Sequence, residues 1–317
     1  MQAAQYVSQG KVSFVSVPDP APAAGEVLLQ MNKVAVCGSD VTQLYYGDNF
    51  PEPPGVSGHE CVATVLEPGG SQFQKGDRVL AIPPAFDGWS EYLSLAPQWL
   101  IPVPDSLTME QGVLAQLLGC VIWALKKVDN VYDKDVVVIG QGPAGIFFSR
   151  LLANMGAKRI IGLDLEDHRL AVARQLGATH TINAKSGDIA AQIADITEGR
   201  MADMVVEVVG TPETVDLAID LGKIWADLLV FGIPKVSPMP FDLMKSLRKQ
   251  QKLITTVGTQ AEPNLSSFRL GMDMIADGRV DVRPLISHCL PFSLLSEAMD
   301  LAYTRREGAV KVLVEIS

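Results

Sequence analysis

Residues 135–145 read Asp135-Val136-Val137-Val138-Ile139-Gly140-Gln141-Gly142-Pro143-Ala144-Gly145. The unbroken apolar run before the first glycine predicts a strand buried on both faces, as in a parallel sheet. Behind it, Gly140-x-Gly142-x-x-Gly145 turns the chain, lets a pyrophosphate approach the backbone, and opens a helix whose N-terminus attracts phosphate. A bare glycine pattern of this kind also occurs in structural turns. Here a helix follows over 145–155, and Asp164 ends the next strand about twenty residues on, which is the context of a dinucleotide site. Asp164 can accept from both ribose hydroxyls and repels a 2′-phosphate, so NAD is favoured over NADP. Arg169 lies close enough in sequence to temper that field. The candidate cofactor-binding residues are Gly140, Gly142, Pro143, Ala144, Gly145, Asp164 and Arg169.

On either side of this turn the chain changes character. From 135 onward strands (135–139, 159–164, 204–209, 228–233, 253–258) alternate with helices (145–155, 169–176, 212–221, 241–249), which predicts an α/β, doubly wound parallel sheet. The first hundred residues instead show short β-rich runs at 26–33, 61–66, 78–82 and 91–95, separated by Pro and Gly clusters. A helix is expected over 109–128, with Asp105-Ser106 or Thr108 as its cap. The expected domains are 1–118, 119–261 and a return to the first domain over 262–317, containing a helix at 265–277 and a terminal strand at 310–316.

The chain has 317 residues, enough for two cores, with 26 Lys plus Arg against 36 Asp plus Glu and a net charge of −10. That balance excludes attraction to nucleic acid or an acidic membrane by bulk charge and suits a small, weakly charged substrate. The start of the chain lacks a signal-peptide pattern, and no apolar run reaches membrane-spanning length, so a cytoplasmic protein is expected. The four cysteines, Cys37, Cys61, Cys120 and Cys289, include no Cys-x-x-Cys pair, which argues against a disulfide scaffold and a four-cysteine zinc lobe.

Two further motifs carry chemistry: Cys37-Gly38-Ser39-Asp40 and Gly58-His59-Glu60. Thiolate and neutral imidazole are good zinc ligands, and a catalytic zinc takes three protein ligands and one open position. Singly, Cys37 reads as a buried filler and His59 as a hydrogen-bonded structural residue. Together with a dinucleotide site they point to metal-assisted hydride transfer.

With these motifs the chain resembles the zinc-containing alcohol dehydrogenases of the medium-chain dehydrogenase/reductase superfamily, including their polyol and threonine dehydrogenase branches. The resemblance extends over Glu26-Val27, Gly76-Asp77-Arg78-Val79, Ser90-Glu91-Tyr92, Leu176-Gly177-Ala178 and Gly308-Ala309-Val310-Lys311. It implies a GroES-like β-rich catalytic domain beside a Rossmann NAD-binding domain, and a homodimer or homotetramer in which the apolar strand 253–257 lies near the sheet edge. It implies Cys37 and His59 as zinc ligands, Ser39 as the hydroxyl relaying the substrate proton, and Asp40 as the acceptor behind His59. Glu60 is either a carboxylate behind the ligands or a ligand itself. The third ligand position falls on Gln116, a weaker donor than thiolate or carboxylate. Cys120, one helical turn on, is an alternative better explained by packing. The four-cysteine structural-zinc loop of the family is replaced by the direct run Leu80 to Trp89, so one catalytic zinc and no structural zinc are expected.

The implied reaction interconverts a secondary alcohol or polyol and its ketone. Tyr45, Tyr46, Phe50, Phe86 and Trp89 are pocket candidates, each of which reads more readily as core or surface than as pocket. A zinc-free quinone or enoyl reductase would share the fold but not need Cys37, Asp40, His59 and Glu60 together. A lyase or epimerase using bound NAD without net turnover, and a non-catalytic nucleotide-binding protein, are the other readings.

Overall fold

The computed structural model describes residues 1–317, which divide into two units: Met1–Gly119 joined by Thr259–Ser317, and Cys120–Gly258. The chain begins with β1 (Gln2–Ser8), β2 (Lys11–Ser16), β3 (Val27–Ala35), α1 (Gly38–Tyr46), β4 (Cys61–Glu67), β5 (Arg78–Ala81), β6 (Tyr92–Leu95), β7 (Leu100–Pro102) and α2 (Met109–Leu125). Then follow β8 (Asp135–Ile139), α3 (Pro143–Asn154), β9 (Arg159–Asp164), α4 (Asp167–Gln175), β10 (His180–Asn183), α5 (Ile189–Ile196), β11 (Ala202–Glu207), α6 (Pro212–Leu221), β12 (Gly222–Val230), α7 (Leu243–Lys249) and β13 (Lys252–Thr255). The chain ends with α8 (Ser266–Ala276), β14 (Ile286–Pro291), α9 (Leu295–Thr304) and β15 (Lys311–Glu315).

In the second unit six parallel strands lie in the order β10-β9-β8-β11-β12-β13. Val136, Val137 and Val138 are fully buried, because a central parallel strand is covered by helices on both faces. The strand order reverses between β8 and β11, the point at which open α/β sheets bind ligands beyond their strand ends. The glycine turn follows β8 at that point.

In the first unit the main sheet runs β14-β15-β3-β4-β5-β7, with β6 also pairing to β3. β3 buries Val27, Leu29 and Met31 on alternate positions, as a half-covered antiparallel strand does. The terminal strand β15 inserts between β3 and β14. It thereby brings residues from the far end of the sequence beside the metal motifs. α2 is capped by Thr108, whose Oγ1 accepts from Gln111 N–H while Gln111 Oε1 accepts from Thr108 N–H.

The β1–β2 pair, α1, β7, β10, α5 and β14 were not anticipated from the sequence. The last parallel strand is shorter than the expected 253–258, ending at Thr255. No helix is long and apolar enough to cross a membrane.

Candidate active site

Cys37 stands at the N-terminus of α1, immediately after β3, and its N–H donates to Asp40 Oδ2 at 2.8 Å. Asp40, three residues into the segment, thus satisfies one of the orphan donors of the helix start. His59 and Glu60 lead into β4, which pairs antiparallel with β3. Ala35 N–H donates to Glu60 O at 2.8 Å, so the two motifs are brought together by the ladder itself. Gly58 is required by geometry: its φ is +72°, and a Cβ there would lie 2.8 Å from the Trp89 ring.

The ligand atoms of Cys37, His59 and Glu60 lie within 4.8 Å of one another. Donors around a tetrahedral zinc sit roughly 3.4–3.7 Å apart, so small side-chain movements would close this set on an ion. Glu60 is fully buried and pairs with Lys311 of β15, whose Nζ donates to Oε1 at 2.8 Å and to Val36 O at 2.9 Å. Glu60 Oε2 lies 2.7 Å from the same ammonium but outside hydrogen-bond geometry, which leaves it a free lone pair for an ion. Burial, with the charges of Glu60 and Asp40, pushes the Cys37 thiol up to about 12, against weaker lowering by Lys311 and Ser39. A cation must therefore displace a proton to bind there. Thiolate, imidazole and carboxylate together form a donor set that fits zinc.

Asp40 is also buried, and its Oδ1 accepts from the Ser57 hydroxyl, from Gly58 N–H at 3.2 Å, and faces His59 Nδ1 at 3.7 Å. Ser39 Oγ is buried beside the Cys37 thiol and makes no other hydrogen bond. Gln116 is buried in α2, 2% exposed. Cys120 is partly buried in the same helix. Of the five aromatic pocket candidates, Phe86 alone meets the metal residues, its ring 4.9 Å from that of His59 and near perpendicular. Trp89 is fully buried, Tyr45 stacks on Tyr303, Phe50 packs on the core and Tyr46 is exposed.

At the second site Gly140 has φ +93°, and a Cβ at Gly145 would lie 1.8 Å from Gly140 O. Pro143 takes the first turn of α3, followed by Ala144, with Gly142 as the cap. A Cβ at Gly142 would meet only Arg169 Nη1, at 3.7 Å, so no protein atom forbids a side chain there. Asp164 Oδ2 accepts from Gln141 N–H at 2.7 Å and Oδ1 from Glu166 N–H at 3.0 Å. Each oxygen retains a lone pair. The Gln141 side chain is buried and tied to Val138 O and Ser149 Oγ, which fixes the turn from inside.

Sequence reasoning gave no role to Lys311 or Ser57. Lys311 is a lone charge in the apolar run Val310 to Val314, a signal for a buried partner; Ser57 carried no such signal.

A family model described as Zinc-binding dehydrogenase matches residues 143–276, and one described as Alcohol dehydrogenase GroES-like domain matches residues 23–105. The chain is 26% identical to a sorbitol dehydrogenase of Bacillus subtilis, covering 99% of this chain and 97% of that protein. It superposes with TM-score 0.85 on 2R,3R-butanediol dehydrogenase from Bacillus subtilis, at 22% identity over 100% of this chain and 99% of that one. A zinc-binding dehydrogenase from Sinorhizobium meliloti bound to NADP gives TM-score 0.85 at 21% identity, over 99% of both chains. With the two models matched in order along the chain and the relatives matched over nearly its whole length, the chain belongs to the zinc-type alcohol and polyol dehydrogenases of the medium-chain dehydrogenase/reductase superfamily.

Proposed function

We propose that this chain interconverts a secondary alcohol or polyol and its ketone, with NAD as the hydride carrier and one zinc per chain. The observation that carries this reading is the convergence of Cys37, His59 and Glu60 within 4.8 Å in a chain that also holds a glycine turn closed by Asp164. When bound, zinc supplies Lewis-acid polarisation of an oxygen and the nicotinamide supplies or accepts a hydride.

Cys37 and His59 hold the ion, and Glu60 Oε2 is the donor best placed among the acids to join them. Gln116 is the other candidate for the remaining position. Asp40 holds the His59 imidazole in one orientation, which fixes its tautomer. Ser39 relays the substrate proton, its Oγ accepting one proton as it passes its own on toward solvent. Its hydroxyl is buried beside the Cys37 thiol with no other hydrogen bond, which supports that role because it remains available to a substrate oxygen.

Asp164 accepts from the ribose hydroxyls and disfavours a 2′-phosphate, while Gly142 lets the pyrophosphate approach and Gly140, Pro143, Ala144 and Gly145 shape the turn. Arg169 lies at the turn and adds positive charge beside the phosphates. The sorbitol and butanediol dehydrogenase relatives support polyols and diols as the substrate class. The exposed edge at β13, with Leu253 in the strand and Val257 just beyond its end, supports a homodimer or homotetramer.

The test is nicotinamide reduction by the zinc-loaded protein against sorbitol, 2,3-butanediol and ethanol, each with NAD and NADP. Reduction with a polyol or diol above ethanol, and with NAD above NADP, is expected. No reduction with any secondary alcohol would refute the reaction, and a preference for NADP would refute the role of Asp164.

A further inference from the structure

Behind the metal residues lies a buried polar cluster of which the reaction above uses only Asp40. Ser57 is 3% exposed and has φ +73°, a left-handed conformation that glycine adopts without cost and serine does not. A non-glycine residue kept in such a conformation beside a site is explained when its side chain is needed there. The Ser57 hydroxyl donates to Asp40 Oδ1, the same oxygen that faces His59 Nδ1.

Asp40 has no ammonium or guanidinium partner; Lys311 is committed to Glu60. Its buried carboxylate is held by the N–H groups of Cys37 and Gly58, the Ser57 hydroxyl and the His59 imidazole. Of the three that make full hydrogen bonds, Ser57 supplies the only side chain. Removing it leaves Oδ1 with the longer bond from Gly58 N–H, 3.2 Å, as its one full hydrogen bond, a weaker hold on its position facing the imidazole.

The Ser57 backbone is itself clamped by the short run that stands where the resemblance implies a four-cysteine lobe. Gly88 N–H donates to Ser57 O at 3.1 Å and Gly58 O at 3.0 Å, and Trp89 N–H donates to Gly55 O at 3.1 Å. A Cβ at Gly88 would lie 2.1 Å from Gly58 O, so the clamp is as close as backbones can come. Tyr6 completes the cluster from β1: its buried hydroxyl lies beside Ser57 and the Trp89 indole without a full hydrogen bond.

We propose that Ser57 is a positioning residue for the metal site, its hydroxyl fixing Asp40 so that Asp40 orients His59, with residues 83–90 holding Ser57 in place. The inference rests on the zinc reading of Cys37, His59 and Glu60. It adds that the short run 83–90 supports the site.

The experiment is an equilibrium competition for zinc between the zinc-loaded full-length chain and a chromophoric chelator, for wild type, Ser57→Gly and Ser57→Ala, with the thermal midpoint measured in parallel. Outer hydrogen-bond partners of metal ligands typically govern about 10–100-fold in metal affinity, and a fall of that size is expected in both variants. Ser57→Gly should keep or raise the midpoint, because glycine accepts φ +73° without strain. Ser57→Ala keeps the Cβ and tests the hydroxyl alone should the glycine variant fold poorly. Wild-type zinc affinity in both variants, or a lowered midpoint with unchanged affinity, would overturn the inference while leaving the zinc site intact. Failure of the wild-type chain to hold zinc would overturn the metal reading and this inference with it.

Discussion

Lys311 and Cys37 both face the buried charge of Glu60 at the candidate metal site. Lys311 and Glu60 form a pair with side chains 2% and 0% exposed, so removing one partner strands a buried charge. Lys311→Met should cost about 3–5 kcal/mol in unfolding free energy for the metal-free protein. Zinc should recover part of that loss, since a cation again faces Glu60; denaturant melts with and without zinc would show it, and an equal loss in both would count against Glu60 as a donor. The Cys37 thiol, pushed up to about 12 by burial and by Glu60 and Asp40, must lose its proton to bind an ion. Apparent zinc affinity should therefore rise with pH, about tenfold per unit while the thiol is protonated, and a flat profile between about pH 7 and 9 would remove Cys37 from the site. Cys37, His59 and Glu60 were legible because their motifs are local and chemically distinctive. Lys311 and Ser57 were not, because their roles exist only after β15 inserts beside β3 and after residues 83–90 fold onto Ser57 and Gly58.

The glycine turn between β8 and α3 separates a structural glycine from a functional one. Gly145→Ala would force a Cβ to 1.8 Å from Gly140 O, so the turn must open and both stability and NAD binding should fall. Gly142→Ala meets nothing closer than Arg169 Nη1 at 3.7 Å, and the position is not left-handed, so stability should be nearly unchanged. NAD affinity should nevertheless fall about tenfold or more, because the Cβ stands where a pyrophosphate approaches. Calorimetric titration alongside thermal melts distinguishes the two, and unimpaired NAD binding by Gly142→Ala would argue against the turn as a phosphate site. The central parallel strands β8, β9 and β11 were legible from their apolar runs, since burial on both faces leaves little room for polar residues, whereas the edge strand β10, His180-Thr181-Ile182-Asn183, buries only Ile182 and was not. β14 was hidden because Ile286-Ser287-His288-Cys289-Leu290-Pro291 is partly exposed along its length and gains its strand form by pairing with β15. α1 was hidden because its nine residues bury only Asp40 and Leu44.

The whole chain combines a strand order characteristic of dinucleotide sheets with a β-rich unit closed by its own C-terminal strand. The alternation of strands and helices made the first legible, and the Gly308-Ala309-Val310-Lys311 motif marked the second without revealing its partner. β13 ends the parallel sheet with one unpaired edge, and Leu253 and Val257 are 47% and 76% exposed. An open, apolar edge strand invites pairing with a second copy. Leu253→Glu should therefore shift the protein toward monomer in sedimentation or light scattering, and an unchanged mass would place the interface elsewhere. A zinc held by Cys37 and His59 underlies the proposed alcohol dehydrogenase activity. Its most direct test is zinc content and NAD-linked turnover measured on the same preparations of wild type, Cys37→Ser and His59→Ala. The expected result is about one zinc per wild-type chain, with zinc lost and kcat/KM lowered by about a thousandfold or more in both variants; wild-type turnover by either variant without bound metal would contradict it.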